Sequence, residues 1–181
     1  MYPLHTRTCK EQTDHFLIMQ TIAYLSLGSN VGDREGNLRE ATTRLEVIGQ
    51  VEALSSFYET EPVEVVDQPW FLNCAVKLRT EQSADELLAG ALGIERAMGR
   101  ERTRPKGPRN IDIDIVLFGD AVIDSPGLKV PHPGLPERLF VLEPLAEIAP
   151  EALHPTLKKR VDELRDALLS KSPVVRRKPA K

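Results

Sequence analysis

The run Gly107-Pro108-Arg109-Asn110-Ile111-Asp112-Ile113-Asp114-Ile115-Val116-Leu117-Phe118 places two carboxylates two residues apart inside an apolar, β-branched stretch. Successive side chains of a strand point to opposite faces, so Asp112 and Asp114 are expected on one face and Ile111, Ile113, Ile115 and Leu117 on the other. Val116 and Phe118 continue the Asp112 face, which is therefore not simply wet. Like charges about 6–7 Å apart along a strand repel unless cations lie between them. Hard oxygen ligands of this kind suit Mg²⁺ shared with substrate phosphates. A half-exposed strand also produces Asp-x-Asp by plain alternation, but the neighbouring sequence argues for a site. Between Arg96 and Arg109 stand six basic residues (Arg96, Arg100, Arg102, Arg104, Lys106, Arg109) and one acidic residue, Glu101, for a local charge of +5 in a chain of net charge −3. Carboxylates to hold metal and arginines to clamp the remaining oxygens are what a metal-bound polyphosphate requires. The alternative is a solvated charge run.

The elements that position these groups follow from periodicity. Thr21 to Leu27 reads as a strand ending in the turn Gly28-Ser29-Asn30. Asp33 can cap a helix whose stripe is Leu38, Ala41, Leu45 and Ile48. A second strand is expected over Val51 to Tyr58, a long loop over Glu61 to Pro69 and a third strand over Phe71 to Leu78. Ser83-Ala84-Asp85-Glu86 is a capping box, followed by a helix that packs Leu87, Ala91, Ile94 and Met98, carries Glu95 on its flank and ends near Gly99. After the basic segment comes the Asp112 strand, then a proline-rich loop over Pro126 to Pro136, then helices over about Glu137 to Ile148 and Leu157 to Leu169. The last helix carries Leu157, Val161, Leu164 and Leu168 on one face. The order β-α-β-β-α-β with helices added at the C-terminus predicts an α+β, ferredoxin-like split βαβ fold with a mostly antiparallel sheet. The long loops after the second strand and around the basic segment are of the kind that serve as functional lids.

With 181 residues, 41% of them hydrophobic and 28% charged, the chain fits one soluble domain. Residues 1–20 read as a disordered leader, 21–170 as the single domain and 171–181 as a basic tail, with Met19 a possible true start. Phe16-Leu17-Ile18-Met19 is too short for a signal-peptide core or a membrane span, so a cytoplasmic location is expected. Cys9 and Cys74 are too few for a disulfide framework. Cys9, His5 and His15 are read as leader residues rather than a zinc site.

Five motifs in order resemble the 6-hydroxymethyl-7,8-dihydropterin pyrophosphokinase family of folate biosynthesis. They are Tyr24-Leu25-Ser26-Leu27-Gly28-Ser29-Asn30-Val31-Gly32-Asp33, Ser56-Phe57-Tyr58-Glu59-Thr60-Glu61-Pro62, Asp67-Gln68-Pro69-Trp70-Phe71-Leu72-Asn73, Gly107 to Asp114, and Val130-Pro131-His132-Pro133. The resemblance spans Ile22 to Pro150 and implies a catalytic domain that transfers the β and γ phosphates of ATP to the pterin hydroxymethyl group, releasing AMP. It implies two Mg²⁺ on Asp112 and Asp114, and catalytic Arg100 and Arg109 on a mobile loop. It implies ATP contacts from Glu95, Arg102, Arg109, Ile115, His132 and Arg138. It implies pterin contacts from Thr60, Val63, Phe71, Asn73, Asp112 and Phe140, with the two phenylalanines sandwiching the ring. Pro133, Lys106 and Leu92 depart from the residues frequent in the family, which bears on the adenine and ribose contacts. The implied partners are small molecules, without nucleic acid or membrane. The implied protein is a monomer with other folate enzymes as candidate neighbours.

Two rival readings stay open at this level. A two-metal nucleotidyltransferase or cyclase also uses paired aspartates on a ferredoxin-like sheet, and it would release pyrophosphate rather than AMP. An RNA-binding split βαβ module would use the basic segment, but wants exposed aromatics on its central strands where this chain has two carboxylates.

Overall fold

A computed structural model of the chain describes residues 20–62, 67–100, 107–169 and 175–176. Its centre is an antiparallel sheet built on β1 (Thr21–Ser29), with β4 (Phe71–Thr80) on one side and β5 (Asp112–Phe118) on the other. The outer half of β4 pairs with β2 (Gln50–Leu54) and its first residues pair with β3 (Tyr58–Thr60). A two-residue strand, β10 (Val175–Arg176), lies against β3 within the region expected as tail. This is the α+β, ferredoxin-like arrangement expected from the element order, with β5 at one sheet edge.

Both faces of the sheet are covered. On the first, α1 (Arg34–Leu45) and α2 (Ala84–Ala97) bury Leu38, Leu45, Leu87 and Ala91 against Leu25, Leu27, Leu72, Val76, Ile113 and Ile115. Asp33 caps α1 by accepting from Gly36 N–H (3.0 Å), and Ser83 with Glu86 forms the capping box of α2. On the second face, α3 (Leu139–Ile148) and α4 (Val161–Asp166) bury Leu142, Leu145, Val161 and Leu164 against Ala75, Val116 and Leu117. Cys74 is a buried free thiol. Among the described residues no helix is long and apolar enough to cross a membrane.

Four local expectations are corrected. The strand expected over 51–58 is two strands, because Ser55 leaves the ladder and binds Ala75 twice. Its N–H donates to Ala75 O (3.0 Å), and its hydroxyl accepts from Ala75 N–H (2.9 Å). The expected alternation along β5 fails at its end, where Tyr24 pairs with Leu117 but Leu25 with Ile115, leaving Val116 as a bulge. The extra residue turns Leu117 onto the carboxylate face and Phe118 onto the other. The proline-rich loop is partly strand: its β7 (Leu128–Val130) forms a hairpin with the preceding β6 (Ile123–Ser125), and a 3-10 turn follows at Leu135–Glu137. Gly127 at φ +90° makes the hairpin turn. The last helix begins only at Val161, because β8 (Leu153–His154) and β9 (Lys159–Arg160) form another hairpin, which leaves Leu157 in its turn and 45% exposed.

Candidate active site

The second helical layer stops short. The uncovered part of that face is a cavity of about 290 Å³, floored by Ser26 and Gly28 of β1, Phe71 and Asn73 of β4 and Asp112 and Asp114 of β5. Thr60, Arg100 and Arg109 line its sides, with Arg138 and Phe140 at the start of α3. Most residues singled out in the sequence therefore meet in one place. Glu61, Gln68, Ser26 and Gly28 also line the cavity without having been assigned. Ser26 and Gly28 had a legible signal, since small residues alternate there with buried Leu25 and Leu27. Val63 and Arg102, with the Glu101 to Lys106 segment, fall outside the described residues.

Gly28 lies within β1, not in the turn where its type had placed it, and pairs with Asn73 on one side and Asp112 on the other. A Cβ here would stand 2.9 Å from Asn73 Oδ1, so only glycine admits that amide. Asn73 Nδ2 donates to Thr60 Oγ1 (2.7 Å). That bond orients the amide and leaves its acceptor over Gly28. Asn30, also absent from the expected set, ties two cavity walls together. Its Oδ1 accepts from Arg109 N–H (2.8 Å) and its N–H donates to Arg109 O (3.1 Å). Its Nδ2 donates to Gln68 Oε1 and Pro69 O, both at 3.1 Å.

The charged groups form a connected set. Asp112 holds Arg100 at 2.6 Å and Arg109 at 2.9 Å. The Arg109 guanidinium also lies 5.2 Å from the Phe71 ring centre, and that of Arg138 lies 5.8 Å from Phe140. Arg100 pairs in addition with Glu95. Among the described residues β5 is the sheet edge, and the buried Glu95 carboxylate accepts the Ile113 N–H (2.8 Å). Burial pushes the Glu95 pKa up, opposed by that N–H and by Arg100. Burial, then the charge of Asp112, pushes Asp114 up to about 6 against the pull of Arg138 and Arg109.

Glu95 does not line the main cavity. It lines a second one of about 400 Å³ with Leu92, Arg96 and Arg100, and Arg100 is shared by both. Ile115 is buried beneath the sheet with the α1 and α2 core. The His132 N–H donates to the carbonyl of the bulged Val116 (3.0 Å). Its Nδ1 accepts from Gly134 N–H (3.0 Å), which puts the neutral ring's proton on Nε2. Burial and nearby Arg138 lower the His132 pKa.

A ferredoxin-like sheet that joins a carboxylate pair, three arginines and two phenylalanines in one cavity defines the class as an α+β domain with a charged, aromatic-lined site. The chain belongs to the 7,8-dihydro-6-hydroxymethylpterin-pyrophosphokinase (HPPK) family, whose model matches residues 24–150. It is 49% identical over 132 residues to the 2-amino-4-hydroxy-6-hydroxymethyldihydropteridine pyrophosphokinase of Bacillus subtilis, covering 72% of this chain and 79% of that one. The pyrophosphokinase of Aquifex aeolicus is 42% identical over 142 residues, covering 78% and 89%. Folic acid synthesis protein fol1 of Schizosaccharomyces pombe is 46% identical over 151 residues, which are 82% of this chain but 21% of that protein. Among solved structures, a Plasmodium falciparum HPPK-DHPS superposes with a TM-score of 0.70 at 19% identity, covering 84% of this chain and 46% of that one. That likeness concerns the fold.

Proposed function

We propose that the chain transfers the pyrophosphoryl group of ATP to the hydroxymethyl oxygen of 6-hydroxymethyl-7,8-dihydropterin, a step of folate synthesis. The observation that carries this reading is the cavity itself, in which Phe71, Asn73 and Phe140 stand beside Asp112, Asp114, Arg100 and Arg109. The hydroxymethyl oxygen attacks the β phosphorus, the bond from that phosphorus to the α-phosphate oxygen breaks, and AMP leaves. The hydroxyl proton is lost to the surroundings.

The donor set fits Mg²⁺, which takes one or two carboxylates and fills its other positions from phosphates and water. Asp112 and Asp114 are the residues that would hold two such ions, and the metal would supply charge neutralisation around the β phosphorus. Arg100 and Arg109, now on Asp112, exchange that carboxylate for phosphate oxygens when substrate enters. The shared position of Arg100 directs the nucleoside end toward Leu92 and Glu95, with Arg102, His132 and Arg138 as further ATP contacts and buried Ile115 able to offer only its backbone. Phe71 and Phe140 offer apolar faces to the flat pterin ring, Asn73 reads its edge, and Thr60 fixes Asn73. Val63 is carried in this reading as a further pterin contact. Use of ATP fits a cytoplasmic location. The HPPK-DHPS chains make a second folate enzyme the neighbour to test.

The test is AMP formation from ATP, Mg²⁺ and the dihydropterin by purified protein. Pyrophosphate as product would favour a nucleotidyltransferase instead. Arg100→Ala should lower kcat by about 10²–10³-fold, as for loss of one preorganised donor, with a much smaller change in ATP affinity. Loss confined to ATP affinity would reduce Arg100 to a binding charge.

A further inference from the structure

Glu147 lies two helical turns along α3 from Phe140 and does not line the cavity. Its carboxylate gathers donors from a segment about ninety residues earlier. Oε2 accepts from Ser56 N–H (3.0 Å) and Tyr58 Oη–H (2.7 Å), and Oε1 accepts from Ser56 Oγ–H (2.8 Å). These donors stand where β2 breaks from β3. Tyr58 and Thr60 are two apart on β3 and pair with Asn73 and Phe71. One carboxylate thus ties the helix that carries Phe140 to the strand pair that carries Thr60, Asn73 and Phe71.

Val141, Leu142, Leu145 and Ala146 of α3 also pack in the apolar cluster of the second face. Apolar contact is non-directional and tolerates sliding. Hydrogen bonds to a carboxylate are short and directional and do not. We propose that Glu147 is a positioning residue of the pterin subsite, holding α3 at the distance and rotation that keep Phe140 in the cavity it shares with Phe71. The inference rests on the pterin reading above.

The experiment is an equilibrium titration of the full chain with 6-hydroxymethyl-7,8-dihydropterin, and separately with a non-hydrolysable ATP analogue and Mg²⁺. The variants are Glu147→Gln, Tyr58→Phe, Phe140→Ala and the Glu147→Gln/Phe140→Ala pair. Glu147→Gln should weaken pterin binding about tenfold, the scale of a lost charge-assisted bond, and leave the nucleotide within about twofold. Tyr58→Phe, which removes one donor and keeps the ring, should move pterin binding the same way by less. With Phe140 already cut to alanine, Glu147→Gln should add less than about twofold, because its effect passes through that ring. Equal losses for both ligands, or a full tenfold loss in the Phe140→Ala background, would overturn the proposal and leave Glu147 as a general brace. Unchanged pterin binding in Glu147→Gln beside a weakened Phe140→Ala would sink this inference alone. Unchanged binding in Phe140→Ala would take the pterin reading with it.

Discussion

At Asp114, burial and the like charge of Asp112 both disfavour the ionised carboxylate. Its folded pKa, pushed up to about 6, lies above the ordinary carboxylate value of 3.8. The folded state therefore binds the proton more tightly than the unfolded chain does. Ionised Asp114 thus costs stability in full above pH 6, and that cost fades as pH falls toward 3.8. In EDTA at pH 7.5, Asp114→Asn should unfold at higher urea than the parent, by on the order of 2 kcal/mol after discounting for partial exposure. The advantage should shrink to nothing near pH 4. Mg²⁺ should raise the parent's midpoint and leave the variant's unchanged. An Asp114→Asn protein less stable than its parent at pH 7.5 would mean that the carboxylate is already well paired without metal.

At the scale of elements, α2 links the sheet edge to the Arg100 side of the cavity. Its start is held by the Ser83–Glu86 capping box, with Ser83 N–H donating to Glu86 Oε2 at 2.8 Å. At its other end Gly99, at φ +79°, turns the chain so that the Arg100 N–H meets Glu95 O (3.0 Å). Ser83→Ala should lower unfolding free energy by about 1 kcal/mol, read by urea titration. Because the cap lies at the end of α2 remote from Arg100, kcat and nucleotide affinity should not change. A fall in kcat would show that α2 shifts as a rigid lever. The capping box was legible in four consecutive residues. The interruption between β2 and β3 was not, because Ser55 and Ser56 bond to Ala75 and Glu147 far along the chain.

At the scale of the whole molecule, one sheet separates two apolar cores, and the cavity lies where the second is left uncovered. Leu87 belongs to the first core and Leu142 to the second, both fully buried. Truncating either to alanine should cost about 2–5 kcal/mol. Since β1 and β4 contribute to both cores, each variant should still unfold in a single transition, coincident by far-UV circular dichroism and Trp70 fluorescence. Separate transitions would show that the helical layer of α3 and α4 melts independently, with the cavity's Phe140 wall.

The sequence by itself determined what depends on near neighbours along the chain. Alternation put Asp112 and Asp114 on one face and Ile111, Ile113 and Ile115 in the opposite core, and helical spacing picked out the buried sides of α1 and α2. The clustering of arginines before two aspartates, and the order of motifs, carried the family and the main members of the cavity. Tertiary structure alone decided the features that need a partner from elsewhere. The Val116 bulge is a matter of register with β1, and it redirects Leu117 and Phe118 against the local pattern. The need for glycine at position 28 comes from an amide on the neighbouring strand. Asn30 and Glu147 owe their places to donors and acceptors some forty to ninety residues away. Local periodicity encodes which face a side chain takes, whereas a hydrogen bond across the fold exists only once packing has brought its two ends together.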